Sequence, residues 1–114
     1  MTGIQENIDH MIEDIVKAVV EASDPDRVIL FGSAARGDAG PDSDVDLLVV
    51  EKEASFHGGS RWSASSRIRK ALWQFPVPID VLLFTPEEVE KWKDSTNHVI
   101  ARSIREGRVL YDRP

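Results

Sequence analysis

At 114 residues the chain has the size of one domain, residues 1–114, able to bury roughly two-thirds of the surface its unfolded form exposes. Twenty acidic residues against fourteen basic ones, a net charge of −6, argue against the clustered Lys and Arg that a phosphate backbone demands, so nucleic acid is not expected as the main partner. The absence of cysteine excludes disulfides and thiolate metal sites. The N-terminus carries no signal-peptide pattern and no apolar run reaches the roughly 20 residues of a spanning helix, so the chain reads as soluble, cytoplasmic and without a membrane partner.

In chain order, Ile4, Ile8, Met11, Ile12, Ile15 and Val19 recur at helical spacing behind a Thr2–Gln5 capping box, which predicts an amphipathic first helix ending near Ser23 to Pro25. Arg27 to Phe31 is a short apolar run that meets Gly32, as a buried strand entering a tight turn does. Ser33 to Gly37 fits one or two helical turns, 38–43 is dense in turn formers, and 44–50 reads as the second strand. Glu51 to Gly59 reads as an exposed loop. Beyond it, Ile68, Ala71, Leu72 and Phe75 form an i, i+3, i+4, i+7 stripe on a second helix, with Arg61, Arg67, Arg69 and Lys70 on its other faces. Pro76 and Pro78 end that helix and Ile79 to Phe84 follows as a third strand. Thr85, Pro86 and Glu88 mark a strong helix start. A last helix is expected from about Ser95 to Glu106, stopped by Gly107, with Val109 to Tyr111 extended behind it. Helices interleaved with few strands define an α/β (α+β) chain with a small sheet of three to four strands.

The chemistry rests on acids placed where acids are unfavourable. Asp is depleted in strands, and a buried carboxylate without a partner is costly, yet Asp44 and Asp46 head the apolar run Leu47 to Val50. Two positions apart on a strand, they project to the same side with Cα atoms roughly 7 Å apart, a layout that suits a divalent cation between them. Asp80 repeats the anomaly between Ile79 and Val81; if its strand pairs beside the second, three carboxylates line one end of the sheet. Oxygen ligands without Cys or clustered His select magnesium, or manganese, over zinc. The competing reading of Asp44 and Asp46 is a solvated strand start, and that of Asp80 a strand-initial acid or a salt-bridge partner for a helix arginine. Upstream, Gly32 and Ser33 stand where a strand gives way to a helical turn, so that backbone N–H groups and the Ser33 hydroxyl can face phosphate oxygens. Arg36 either neutralises a triphosphate or pairs with Asp38. Asp38 and Asp42 sit among turn formers and read as turn residues.

Gly32-Ser33, ten intervening residues, then Asp44-Val45-Asp46 resembles the signature of the minimal nucleotidyltransferases of the DNA polymerase beta-like superfamily. The stretches 31–37 (FGSAARG) and 43–50 (SDVDLLVV) carry the resemblance. It implies the polymerase beta-like fold and transfer of a nucleoside monophosphate from an NTP, most often ATP, to an acceptor hydroxyl with release of pyrophosphate. By position it assigns Asp44, Asp46 and Asp80 to metal binding and catalysis, with two magnesium ions, and Gly32 and Ser33 to the terminal phosphates, with Arg36 as a further nucleotide contact. It also implies a HEPN-domain protein as partner, a helical RNase toxin that such short proteins adenylylate on tyrosine as antitoxins. A homo-oligomer stays open. The alternatives are a non-catalytic module that binds nucleotide or occludes a toxin, and an enzyme acting on a small molecule.

Trp62 and Trp73, three helical turns apart and off the apolar stripe, are expected to cover the edge of the core, with a partner surface as the other reading. His10, His57 and His98 show no ligand spacing and no catalytic role is expected for them. The glycines of the 56–60 loop suggest simple mobility rather than a lid over the nucleotide.

Overall fold

The structure, a computed structural model, describes residues 3–37, 44–52, 56 and 59–114. The Thr2 cap, the 38–43 turn with Asp38 and Asp42, and His57 lie outside the described residues. Chain order is α1 (Gly3–Ser23), β1 (Arg27–Phe31), α2 (Ser33–Arg36), β2 (Val45–Val50), α3 (Arg61–Ala71), β3 (Ile79–Phe84), α4 (Pro86–Trp92), α5 (Val99–Glu106) and β4 (Arg108–Asp112).

The strands form one four-stranded sheet in the order β3-β2-β1-β4. β2 runs antiparallel to β1 and parallel to β3, and β4 closes the other side antiparallel to β1. The parallel pair is what a crossover through α3 requires, whereas the antiparallel pairs need only turns. Alternation then sorts the side chains. Val28, Leu30, Val45, Leu47, Val49, Val81 and Leu83 face Ile12, Ile15 and Val19 of α1 and Ala64 and Ile68 of α3. Ile29, Leu48 and Val50 face Val89 of α4 and Ile100 of α5. Central strand β2 is covered on both faces, which is why its sequence after Asp46 is an unbroken apolar run. No helix among the described residues is long and apolar enough to cross a membrane.

Local chemistry sets several boundaries. Ser60 caps α3 by accepting from the Ser63 N–H at 3.1 Å. The α3 stripe is interrupted, because the helix ends at Ala71 and Phe75 packs on the core from a following turn in which its N–H donates to Leu72 O. At α4 the reciprocal cap is complete: the Thr85 hydroxyl accepts from Glu88 N, and Glu88 Oε1 accepts from Thr85 N at 2.8 Å, a device worth about 1 kcal/mol. The last helix begins later than expected, at Val99 rather than Ser95. His98 is its cap, with Nδ1 accepting from the Ile100 N–H at 3.1 Å. The ring is fixed in turn by stacking on Trp92 with centroids 4.6 Å apart. A chain turn between Trp92 and Ser95 therefore replaces the first helical turn that the sequence suggested.

The expected exposed loop after β2 also needs correction, since Glu51 is fully buried and Phe56 is 7% exposed. Glu51 N still bonds Phe84 O, so alternation carries its side chain to the α1 face beside Ser23, whose hydroxyl donates to Val19 O. Neither carboxylate oxygen has a hydrogen-bond partner among the described residues. Burial pushes this carboxyl up to about 7, against slight relief from Ser23 and Arg113. A folded-state value above the unfolded one means that folding holds a proton the unfolded chain releases. The neutral group is therefore tolerated below about pH 4.5, and its contribution is lost as pH rises through about 7. Glu51→Gln is expected to gain about 2 kcal/mol relative to wild type between pH 5 and pH 8, read from paired urea midpoints. An unchanged difference between the two pH values would mean that this carboxyl is solvated.

Candidate active site

Register assembles the site. Phe31 is the Cα partner of Asp46 across β1 and β2, so the turn that begins at Gly32 starts beside that aspartate. Asp80 is the partner of Asp46 across β2 and β3. The pairing that the sequence reading made conditional is therefore present, and Asp80 stands level with Asp46 on the neighbouring strand. Asp46 and Asp80 share strand parity with Leu48 and Leu82, which belong to the α4–α5 face. Asp44 lies one residue ahead of β2 and is exposed, as is Asp80, while Asp46 is half-buried.

Gly32 is required here for two reasons. Its φ of 77° lies in the left-handed region, and a Cβ at this position would collide with Asp46 Oδ2. The backbone of the turn thus presses directly against the aspartate. The Gly32 carbonyl accepts from Ala35 N at 3.1 Å and Arg36 N at 3.2 Å, which winds the single turn of α2, and Gly37 at φ 80° closes it. Ser33 is the first residue of that turn. Arg36 lies within 3.8 Å of Glu106 on α5, and its charge also favours ionised Asp46. Its pairing with Asp38 falls on a residue outside the described ones.

Burial, then the charges of Asp80 and Asp44, raise the Asp46 carboxyl above its ordinary value, with Arg36 opposing. This is the electrostatic condition that a cation relieves, and the donor set is all oxygen, as a hard divalent ion prefers. As placed, no group of three acidic or histidine side chains among the described residues closes to metal-holding distance. The chemistry of the donors and the backbone register both fit a divalent metal.

A cavity of about 420 Å³ opens beside Asp80, lined also by Arg69, Trp73, Phe75, Val77 and Ile79. A larger one of about 520 Å³ lies at the far end of β1 and β2, around Asp26, Arg27, Val50 and Lys52, well away from the aspartates. Size alone therefore does not locate the chemistry; the juxtaposed carboxylates do. The two tryptophans are 78% exposed each, which overturns the expectation that they cover the core edge. Sequence reasoning offered Asp80 a helix arginine as partner without saying which, and did not place Trp73 beside it, although the absence of any acidic residue between 61 and 75 was a signal that this segment faces something negative.

Residues 12–111 match the nucleotidyltransferase domain family, and the chain belongs to it. A candidate protein adenylyltransferase of Methanocaldococcus jannaschii is 68% identical over 28 residues, covering 25% of this chain and 28% of that protein. Among solved structures, a candidate nucleotidyltransferase from Sulfolobus solfataricus superposes with a TM-score of 0.64 at 20% identity, covering 96% of this chain and 84% of the other. A toxin-antitoxin structure with AMP-PNP superposes at 0.59 and 17% identity, covering 88% and 73%. At these identities the two structures establish the shared fold.

Proposed function

We propose that this chain transfers AMP from ATP to a hydroxyl of a protein acceptor, and that the acceptor is a HEPN-type toxin for which it serves as the antitoxin. The observation that carries the reading is the register placing Asp46 between the Gly32 turn and Asp80. Membership of the nucleotidyltransferase family supports the reaction type. The adenylyltransferase likeness over a short segment and the toxin-antitoxin likeness in fold support the kind of acceptor.

In this reading the acceptor oxygen attacks the α-phosphorus. The bond from that phosphorus to the oxygen bridging it to the β-phosphorus breaks, and pyrophosphate departs. The acceptor proton passes to Asp80, directly or through water, since Asp80 is exposed and borders a cavity. Gly32 and Ser33 hold the terminal phosphates through backbone N–H groups and a hydroxyl, and Arg36 adds a positive charge on the same side as Asp46. Asp44, Asp46 and Asp80 would hold magnesium. When bound, it supplies positive charge to the entering and leaving oxygens and to the triphosphate. The protein's own share is then positioning and charge compensation.

The test is incubation with α-labelled ATP, magnesium and the product of the neighbouring gene, comparing wild type with Asp44→Asn. Label should pass to the partner only with wild type, while the variant still binds it. Equal labelling by both would remove the catalytic assignment. Equal neutralisation of the partner with no labelling by either would leave a module that acts by occlusion.

A further inference from the structure

Two large apolar side chains stand in solvent at the two ends of α3, one in its first turn and one in the turn that follows it. Trp62 and Trp73 are each 78% exposed, the first inside α3 and the second just past its end at Ala71. Between them runs a shallow groove of about 210 Å³ shared with Arg69 and Lys70. Arg69 and Trp73 also line the cavity that contains Asp80. The two hollows therefore share a wall formed by Arg69 and Trp73, and they adjoin one another along α3 between Trp62 at its start and Asp80 on the edge strand.

We propose that this groove is the docking track of the acceptor, a partner polypeptide that carries acidic side chains beside apolar anchors and brings its hydroxyl to Asp80. The proposal rests on the nucleotidyl-transfer reading and names the surface and the chemistry of its second substrate. Charge decides the sign of the occupant. Residues 61–75 include four cations and no acid, but two of the cations are already engaged. Arg61 pairs with Glu88 at 2.9 Å, and Arg67 donates to Ala22 O at 2.7 Å. Lys70 is exposed and Arg69 uses one nitrogen to reach Val81 O at 3.5 Å, so a guanidinium fork and an ammonium remain to meet carboxylates.

The mode of docking follows from the edge of the sheet. β3 is the outermost strand on this side, and an outer strand normally invites another strand to pair with it. Here its outward carbonyls at Val81 and Leu83 accept from Arg69 and Arg61. The occupant is thus held by side chains, with the tryptophans as anchors, rather than by adding a strand. Single-stranded nucleic acid fits less well. Successive bases stack on closely spaced aromatics, whereas these stand at opposite ends of α3, and a chain of net charge −6 repels a polyanion beyond the local patch.

The experiment measures anisotropy of three fluorescein-labelled probes without nucleotide: a random Glu-Tyr copolymer, a random Lys-Tyr copolymer and single-stranded oligoadenylate. The acidic copolymer should bind most tightly. Lys70→Glu and the double variant Trp62→Ser/Trp73→Ser should each weaken it at least tenfold, with unchanged melting curves and unchanged ATP affinity by calorimetry. Equal binding of the acidic and basic copolymers, tighter binding of the RNA, or wild-type affinity in both variants overturns the proposal. Transfer is read separately, by AMP incorporation into the Glu-Tyr copolymer. If the binding pattern holds while wild type incorporates no label, the transfer reading fails and the docking track stands.

Discussion

Asp46→Asn is expected to lower AMP transfer at least about a hundredfold, a rise in barrier of about 2.7 kcal/mol or more, while leaving the chain folded. Asp46 stands on the central strand between the Gly32 turn and Asp80. It is level with Asp80 on β3 and with Phe31 on β1, its Oδ2 lies against Gly32, and its ionisation is opposed by burial first and then by Asp80 and Asp44, with Arg36 favouring it. Asn keeps the shape and removes the charge, so the turn retains its packing while the cation loses a ligand. The same substitution removes repulsion between like charges and the cost of desolvating one of them. Thermal melting in EDTA should therefore show the variant at least as stable as wild type. Single-turnover transfer measured beside those melts separates the two effects: loss of activity with loss of stability would point to structural damage, and retained activity would displace Asp46 from the site. Activity maintained at the expense of stability is the usual signature of charges gathered for chemistry.

What could be read from the sequence divides along local and non-local lines. The bounds of β1 and β3 emerged as expected, because each is an apolar run between turn formers and prolines. The Thr85 cap was equally legible, since all its atoms lie within four residues. The start of α5 was not, because what fixes it is a histidine acting as cap while stacked on a tryptophan from another helix. Glu51 was misplaced for a related reason: polarity argued for solvent, but the ladder bond to Phe84 carries β2's alternation one residue further and turns the side chain inward. Within the site, spacing suggested that Asp44 and Asp46 act together. That Asp80 would stand opposite Asp46 rather than a residue to either side depends on strand order and register, which are set by the crossover and the core. The contact between Gly32 and Asp46 is of the same kind. The sequence contains the glycine, and only the pairing of Phe31 with Asp46 explains what it must make room for.

Gly107→Ala is expected to cost about 2–4 kcal/mol, enough to lower the melting temperature by about 10–20 °C in a domain of this size. The usual account of a glycine that stops a helix is a left-handed cap. It does not apply, because Gly107 has φ −86° and ψ 172°, a conformation open to any residue. On conformational grounds alone alanine would even be favoured slightly, by reducing the freedom of the unfolded chain. Space overrides this. A Cβ at 107 would meet Ser103 O, and would come within 2.7 Å of Ile29 Cγ2 and 2.8 Å of Leu30 O. Two of these obstacles are backbone carbonyls, one in α5 and one in β1, and neither can rotate aside as a side chain would. Relief requires α5 and the start of β4 to lift from the sheet, which would also disturb Glu106 and its approach to Arg36. Gly37→Ala supplies the contrast. There φ is +80° and nothing lies within 4 Å of the added carbon, so the cost is conformational and about 1 kcal/mol. Chemical denaturation of the two variants side by side should therefore rank Gly107→Ala as clearly the more damaging, and the reverse order would mean that α5 does not pack this closely on β1.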